Sequence, residues 1–397
     1  MKVVWICHFS NYEIREKIKK YKEISDLAPW ITNLIKGFEK ESDVELHIIF
    51  PHYFLIKQTN FKLRNVHYYA LPAGVPFYHR YYPDYFPIDT FFGYYLFNLR
   101  VKRIVNKIRP DIINLIGTEN AYYSKSILQF RNKYPVIITI QGYITEILNF
   151  HNNFYNRYRS KIEKRIISSF QYFLGDEDSK RFIGSFNKNF KFFNFFFPVD
   201  TVSIKMNNKR IDKSYDLLYW GRIDKAKGIE DFIKIVSILK NKNSNIKAAI
   251  IGIGNLKYWE SYAIDLKCEN NIKFIGYVEN TENLFSIAQQ SKVLLVPTYF
   301  DRYPAVIREA MMLKIPVISY KTGSIPYTNQ EKKNIILVEV GDYEMMAEEA
   351  YKLLNKETSY EEMIENAYEF AMKEFDLESN VKKIKIAYKK TIEEFKY

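Results

Sequence analysis

The strongest constraint on this chain is an alternation in its C-terminal half. Short, continuously apolar, β-branched runs take turns with stretches whose apolar residues recur at helical spacing. The runs lie at Leu217–Trp220, Ala248–Ile251, Lys273–Ile275, Val293–Val296, Pro316–Ser319 and Ile335–Val338. Runs this short and this uniformly apolar suit strands covered on both faces, as in a parallel sheet. Between them, Ile229, Phe232, Ile233, Val236 and Leu239 form a helical stripe opened by Gly228. Further helical stretches are Tyr258–Cys268, Asn283–Gln289, Ala305–Leu313 and Tyr343–Leu354. Such alternation implies right-handed βαβ units and an open, doubly wound α/β sheet. Ligands of these sheets bind at the carboxyl ends of the strands.

The N-terminal half follows the same grammar with more interruption. Its strand candidates are Val3–Cys7, Val44–Phe50, Ile112–Ile116, Val136–Ile140 and Arg181–Ile183. Helices are expected at Ala28–Glu39, Thr90–Ile108, Tyr122–Arg131 and Arg159–Phe173. Tyr53–Pro87 has no clean period and reads as a long loop region with one short strand near Val66–Ala70. A chain of 397 residues exceeds one ordinary core, and 47% hydrophobic residues can fill two. Two Rossmann-like domains facing across a cleft are therefore expected: residues 1–200 and 201–378, with a hinge near Pro198–Ser214. The last segment, 379–397, is expected to be a helix that packs back on the first domain. It carries Val381, Ile384, Tyr388, Ile392 and Phe395 on one face.

Several classes are disfavoured. The apolar opening Val3–Cys7 turns polar at His8 and is too short for a secretory signal. No run approaches the roughly 20 apolar residues of a membrane-spanning helix, so a cytoplasmic location is expected. Cys7 and Cys268 lie in no CxxC or His-bearing cluster and read as small buried hydrophobes, with no metal site. The net charge of +13 favours anionic partners. Its cations are spread along the chain without a nucleic-acid-binding signature, so a phosphate-bearing substrate or an anionic membrane surface is expected, and no nucleic acid.

Three groups of residues could carry chemistry. Gly221-Arg222 follows a strand, and Lys227-Gly228 precedes a helix. Cations there suit a diphosphate clamp, and they suit solvated loop positions equally well. Asp301 sits in the loop after Val293–Val296, with Glu309 eight positions on in the next helix, which Pro304 opens. Carboxylates so placed can accept sugar and ribose hydroxyls, or simply complement a helix dipole. Gly252-Ile253-Gly254 and Gly276 permit close backbone approach, but the third glycine of a dinucleotide fingerprint is missing, which disfavours a nicotinamide enzyme.

Taken in order, Gly-Arg, Lys-Gly, Ile-Gly-Ile-Gly, Phe-Ile-Gly-Tyr-Val, Pro-Thr with the acidic pair, and Pro-Val-Ile-Ser before Thr322–Pro326 resemble glycosyltransferase family 4. The resemblance runs from Leu217 to Leu354. It implies the GT-B fold, retention of anomeric configuration, and no metal or cofactor beyond the nucleotide-sugar co-substrate. It places Arg222 and Lys227 at the donor diphosphate, Asp301 near the donor sugar, and Glu309 on the ribose. Gly221, Gly254, Tyr277, Val278, Tyr303, Ala305 and Val306 would complete the donor site, and Ser10, Asn11 and Gln141 would lie on the acceptor side.

The chain departs from that family at several points. Asp301 is one methylene shorter than the usual glutamate, Pro304 removes a backbone donor, and Tyr327 replaces an acidic residue. The loop His8–Tyr12 lacks a glycine pair common near the acceptor. Gln141 stands where histidine is common; it can orient a substrate but cannot take a proton. Phe91, Phe92, Tyr95, Leu96 and Leu99 read as the core-facing stripe of a helix rather than a membrane insert. Lys17, Lys19, Lys20 and Lys22 read as a solvated face. With Tyr81, Tyr82, Tyr85 and Phe86 they could form a surface for an anionic bilayer. The expected function is a retaining transferase that moves a sugar from a nucleotide donor to a saccharide or lipid-linked acceptor in surface polysaccharide assembly, peripheral at the inner face of the membrane. The alternatives are a nucleotide-sugar epimerase on the same fold and a non-catalytic glycosyltransferase-like subunit.

Overall fold

The structure, a computed structural model, describes residues 1–18, 27–52, 55–72, 90–148, 152–199, 204, 212–355 and 360–395. Lys19, Lys20, Lys22, Tyr81, Tyr82, Tyr85, Phe86 and most of the expected hinge lie outside the described residues. The chain divides into two compact units, Met1–Pro198 with Leu377–Tyr397, and Val199–Asp376.

In the first unit the strands are β1 (Lys2–Ile6), β2 (Glu45–His52), β3 (Thr59–Leu63), β4 (Val66–Pro72), β5 (Ile112–Ile116), β6 (Val136–Thr139), β7 (Tyr172–Gly175) and β8 (Lys191–Asn194). The helices among them are α1 (Tyr12–Lys17), α2 (Pro29–Phe38), α3 (Tyr95–Ile108), α4 (Ala121–Ser124), α5 (Ile144–Ile147), α6 (Phe154–Ser169) and α7 (Glu177–Phe186). The sheet order is β3-β4-β2-β1-β5-β6-β7-β8, and only β3 runs antiparallel to its neighbour. The second unit holds β9 (Tyr215–Trp220), β10 (Ala248–Ile251), β11 (Ile272–Gly276), β12 (Ser291–Val296), β13 (Val317–Tyr320) and β14 (Ile336–Val338). Its helices are α8 (Ile229–Lys242), α9 (Leu256–Asp265), α10 (Thr281–Gln289), α11 (Ala305–Met312), α12 (Tyr343–Leu354) and α13 (Glu361–Phe375), after which α14 (Leu377–Phe395) returns to the first unit. The order β11-β10-β9-β12-β13-β14 is all parallel and reverses direction between β9 and β12. In the first unit the corresponding reversal falls between β1 and β5.

The central strands of each sheet are buried because they carry no polar face: Val3–Ile6, Ile112–Ile116 and Leu217–Trp220 are buried throughout. The polar exception in β5 is Asn114, and it has partners. Its amide donates to the Tyr388 hydroxyl at 2.8 Å and accepts from Thr139 at 2.9 Å. Tyr388, fully buried on α14, also accepts from Trp5 Nε1 at 2.9 Å. Trp5 in turn packs edge-on against Phe38 of α2, ring centres 5.1 Å apart.

Four expectations are corrected here. Arg181–Ile183 is not a strand but lies inside α7, because Asp176 caps that helix by accepting from the Ser179 amide at 2.9 Å, with Glu177 and Asp178 filling its first turn. The strand is Tyr172–Gly175, which the expected helix Arg159–Phe173 overran; α6 stops at Ser169. The described part of 53–87 holds two paired strands rather than one, turning at Arg64-Asn65 with Arg64 in the left-handed region at φ 52°. Finally, Phe91, Phe92, Tyr95 and Leu96 face solvent. The residues of α3 that reach the core are Phe97, Val101, Ile104, Val105 and Ile108, the set that keeps the 3–4 spacing through the whole helix.

Removing the Tyr388 hydroxyl leaves two buried donors, on Trp5 and Asn114, without that acceptor. Tyr388→Phe is expected to destabilise the first unit by about 1–3 kcal/mol, seen as an earlier midpoint in urea unfolding. An unchanged midpoint would show that both donors find other partners.

Candidate functional site

Parallel strands gather their carboxyl ends at one edge of a sheet, and the order reversal opens a crevice there. In the second unit that edge carries the loop after β9 and the loop after β12. Tyr219, the penultimate residue of β9, turns its hydroxyl to the first loop and donates to the carbonyls of Arg222 at 2.5 Å and Lys227 at 3.3 Å. Asp224 caps the short 3₁₀ turn Lys225–Lys227 by accepting from the Lys227 amide at 2.9 Å, and pairs with Arg222 at 3.4 Å. The second loop is zipped to the first, since the Tyr299 amide donates to the Ala226 carbonyl at 3.0 Å. Gly228, at φ 75°, makes this approach possible: a Cβ there would run into the Pro297 carbonyl. Below both loops, Asp231 is buried on α8 and accepts from the Tyr299 and Tyr320 hydroxyls, each at 2.7 Å. Burial and that shared carboxylate push the Tyr299 phenol up to about 12.

Of the four residues expected around the donor, two meet. The Lys227 ammonium lies 2.5 Å from the Asp301 carboxylate and donates to the Phe300 carbonyl at 3.1 Å. An ammonium has three donors, so one remains for a ligand. Arg222 stands on the same loop with its guanidinium largely exposed. Glu309 is half-buried one turn into α11. Pro304, at the start of α11, supplies no side-chain cap, and the first turn holds no acidic residue. The amides of Ala305 and Val306 therefore lack intrahelical acceptors. Tyr303 is engaged within the unit: its hydroxyl shares a 2.7 Å hydrogen bond with Thr328, and its ring packs against Phe375. Gly221 and Gly254 lie at the ends of paired loops, Gly221 donating to Ile251 at 3.0 Å and Gly254 bridged to Ile223. Tyr277 is exposed and Val278 half-buried just past β11.

At the corresponding edge of the first unit, Gln141 follows β6. Its Oε1 accepts from Trp30 Nε1 at 3.0 Å and its Nε2 donates to Glu119 Oε1 at 2.6 Å. Trp30 can only donate, which fixes the orientation of the amide. Gly117, at φ 89°, lies beneath: a Cβ there would strike the Gln141 amide and the Tyr123 hydroxyl. Asn11 spends its carbonyl capping α1 at the Ile14 amide, 2.9 Å, and its amide on Thr32, 3.3 Å. Ser10 is buried and pairs through its backbone with Leu27. His8 is buried against Tyr122, and burial with neighbouring His52 pushes its imidazole down to about 3.

Glu119 was missed by the sequence reading, although it lies three residues past a strand at the sheet's reversal. Burial pushes its carboxyl up, opposed by the Gln141 hydrogen bond, and its Oε2 is buried without a hydrogen-bond partner. Arg159 holds this turn by donating to the Glu119 carbonyl at 2.8 Å and to Asn120 at 2.6 Å. Glu163, fully buried, accepts from Thr118, Thr145 and the Ile144 and Thr145 amides. Even so, burial raises it to about 7. Among the described residues no group of three or more His, Cys, Asp or Glu could hold a metal ion.

Residues 202–370 match the family described as glycosyl transferases group 1. That stretch lies within the second unit. The group 1 stretch covers less than half of the chain. A capsular polysaccharide biosynthesis glycosyltransferase, CapM of Staphylococcus aureus, is 31% identical over 171 residues, 38% of this chain and 42% of CapM. The chain thus spans well under two thirds of that relative. A sucrose-phosphate synthase from Thermosynechococcus elongatus superposes with a TM-score of 0.75, at 14% identity, over 99% of this chain and 100% of that one. HepE of Anabaena, solved in complex with UDP, gives a TM-score of 0.66 at 13% identity over 98% and 100% of the two chains. These likenesses show the fold, GT-B, with two Rossmann-like units, of which the second holds the group 1 stretch.

The raised carboxyl of Glu163 has a consequence for stability. The unfolded chain ionises it near 4.5 and the fold resists until about 7, so its contribution is whole below pH 4.5 and is lost as pH rises to 7. Glu163→Gln is expected to flatten the decline of urea midpoint across that window. An unchanged pH slope would show that this carboxyl ionises freely in the fold.

Proposed function

We propose that this protein is a retaining glycosyltransferase that moves a sugar from a nucleoside-diphosphate donor to a saccharide or lipid-linked acceptor in surface polysaccharide assembly. The observation that carries the reading is the second unit's sheet reversal. There Lys227, Arg222 and the first amides of α11 present positive charge at the strand ends, inside the stretch that matches the group 1 family. The family match and the capsular-polysaccharide relative support the reaction class. The UDP complex of HepE supports a nucleotide at this kind of site.

In this reading the bond between the anomeric carbon and the donor's β-phosphate oxygen breaks, and the acceptor oxygen bonds to the same face. The acceptor's proton passes to the departing phosphate. Negative charge grows on that phosphate. Lys227, Arg222 and the Ala305 and Val306 amides stabilise it, doing the work of a divalent metal, with no cofactor beyond the donor. Asp301 holds Lys227 in place and faces the donor sugar, while Glu309 holds the ribose and Tyr277-Val278 borders the base. Gln141, locked by Trp30 and Glu119, orients the acceptor. The protein works in the cytoplasm at the inner face of the membrane. Among the described residues no helix is long and apolar enough to cross it.

Lys227→Ala and Arg222→Ala are each expected to lower kcat by about 100- to 1000-fold, and Glu309→Ala to abolish turnover, with circular dichroism unchanged. A thermal-shift screen against UDP, GDP, ADP and CMP is expected to find one nucleotide that raises the Tm, with the rise reduced in Arg222→Ala. Full turnover and nucleotide binding in all three variants would remove these residues from the reaction.

A further inference from the structure

The first unit carries an outer surface to which the proposed sugar transfer assigns no role. Helices α3 and α6, with the 3₁₀ helix Lys125–Phe130 between them, cover one side of its sheet. Both long helices are ordinary on their inner faces: Val101, Ile104 and Val105 from α3 and Ile162, Ile166 and Ile167 from α6 are buried in one core. Their outer faces carry a single sign. In the stretches 90–109, 121–135 and 152–175 the chain has one carboxylate, Glu163, and it is fully buried. What faces outward includes Lys102, Arg103 and Lys107 on α3 and Arg157, Lys161 and Arg165 on α6. Among the described residues no ion pair joins these six cations to a carboxylate. On the opposite side of the same sheet carboxylates lie among the cations, and Lys385 of α14 is paired with both Glu41 and Asp43.

At one end of this cationic layer the exposed side chains become apolar. Phe91 is 83% exposed, Phe92 67%, Tyr95 63%, Leu96 47% and Phe154 67%. The two segments that bear them adjoin. Tyr94 packs against Tyr158 with ring centres 6.2 Å apart, and Lys125 between them donates to the Tyr158 hydroxyl at 2.9 Å. Phe154 stands one turn before Tyr158 on α6. Along α3 the outward sector is continuous: at 100° per residue Tyr95 lines up with Lys102, and Leu96 with Arg103 and Lys107. One helical face therefore passes from aromatic to cationic without an acidic interruption.

Scattered exposed apolar side chains are ordinary, whereas a cluster of five flanked by cations without carboxylate partners among the described residues fits a boundary that is apolar on one side and anionic on the other. We propose that this face docks on an anionic phospholipid bilayer, with Phe91, Phe92, Tyr95, Leu96 and Phe154 entering the headgroup boundary. The cations of α3 and α6 then lie over lipid phosphates. This deepens the membrane clause of the functional reading by naming the surface. Its test measures no sugar transfer, so its failure leaves the transferase reading intact.

The test is flotation of the full chain with vesicles of phosphatidylcholine alone and of phosphatidylcholine mixed with phosphatidylglycerol. Binding is expected to the mixed vesicles and to fall as salt is raised. A Phe91→Ser, Phe92→Ser double variant is expected to lose at least about tenfold in binding. A Lys102→Glu, Arg103→Glu, Lys107→Glu triple variant is expected to lose at least about tenfold and to respond no longer to phosphatidylglycerol. Both should keep the wild-type Tm. Absence of binding to mixed vesicles, or wild-type binding by either folded variant, overturns the proposal. So does a dimer that dissociates on Phe91→Ser, Phe92→Ser substitution, which would make the face an interface between copies. Salt-sensitive binding to generic RNA with no vesicle binding overturns it as well.

Discussion

A parallel strand buried on both faces can show a polar side chain to a ligand only past its carboxyl end. Each catalytic possibility of this chain follows from that restriction. Val3–Ile6, Ile112–Ile116 and Leu217–Trp220 are apolar and covered, apart from Asn114, so chemistry is displaced into the loops that follow them. Where strand order reverses, the helices leaving neighbouring strands go to opposite faces, and the loops between are free to receive a ligand. Loops are also the least determined part of a fold, so the residues that tie them down matter as much as those that would touch substrate. In the second unit Tyr219, Gly228 and Asp231 do this. The Tyr219 hydroxyl spans two carbonyls of the β9 loop, Gly228 lets the β12 loop come within hydrogen-bonding distance, and Asp231 anchors Tyr299 from below. A site fixed in advance avoids reorganisation when charge develops, which is where preorganised electrostatics gains its effect.

The two sheet edges use charge differently. In the second unit Arg222, Lys227, Asp301 and Glu309 are half-buried or exposed, and Lys227 is only partly compensated by Asp301, leaving positive character for a phosphate. In the first unit the carboxyl groups are withdrawn from water. Glu163 is enclosed by four donors and still rises to about 7 because desolvation outweighs them. Glu119 rises for the same reason and spends one oxygen on Gln141. Such a turn rigidly places a neutral amide, which suits orientation of an uncharged sugar hydroxyl better than binding of an anion.

The second unit was the more legible in sequence because its strands are short unbroken apolar runs. Each of the six expected there falls within a residue or two of an observed strand. The first unit was harder for identifiable reasons. Lys191–Asn194 is a half-exposed edge strand with only two apolar residues, so no run announces it. In the second unit α13 went unannounced, because its core stripe is Met363, Ala367, Ala371 and Phe375 and alanine gives a weak periodic signal. On α3 two registers competed: Phe91, Phe92, Tyr95 and Leu96 are the more hydrophobic set at its start, but only the set headed by Phe97 continues to Ile108. Among the site residues, Lys227 and Asp301 could be singled out by their places in an ordered motif. Their direct pairing could not, since it depends on Gly228 admitting the Pro297 carbonyl. Glu119 belongs to no motif quoted for the family, and a carboxylate beside a glycine turn looks solvated until burial is known.

The return of the last helix shows how one element can set the character of a whole face. The chain leaves the second unit at Asp376, close to where it entered, with the Val199 amide donating to the Phe375 carbonyl at 3.3 Å. It then lays nineteen residues of α14 against the first unit. Tyr388 reaches the centre of the sheet to satisfy Trp5 and Asn114, while Lys385 pairs with Glu41 and Asp43 at the rim. On that face cations and carboxylates are interleaved. The opposite face is covered by α3 and α6, and among the described residues their six outer cations make no ion pair with a carboxylate. Self-repulsion among like charges favours keeping them apart or meeting them with an external anion. An asymmetry of this kind, within one sheet and between helices equally buried on their inner sides, cannot come from the needs of folding. It points to a role at the surface.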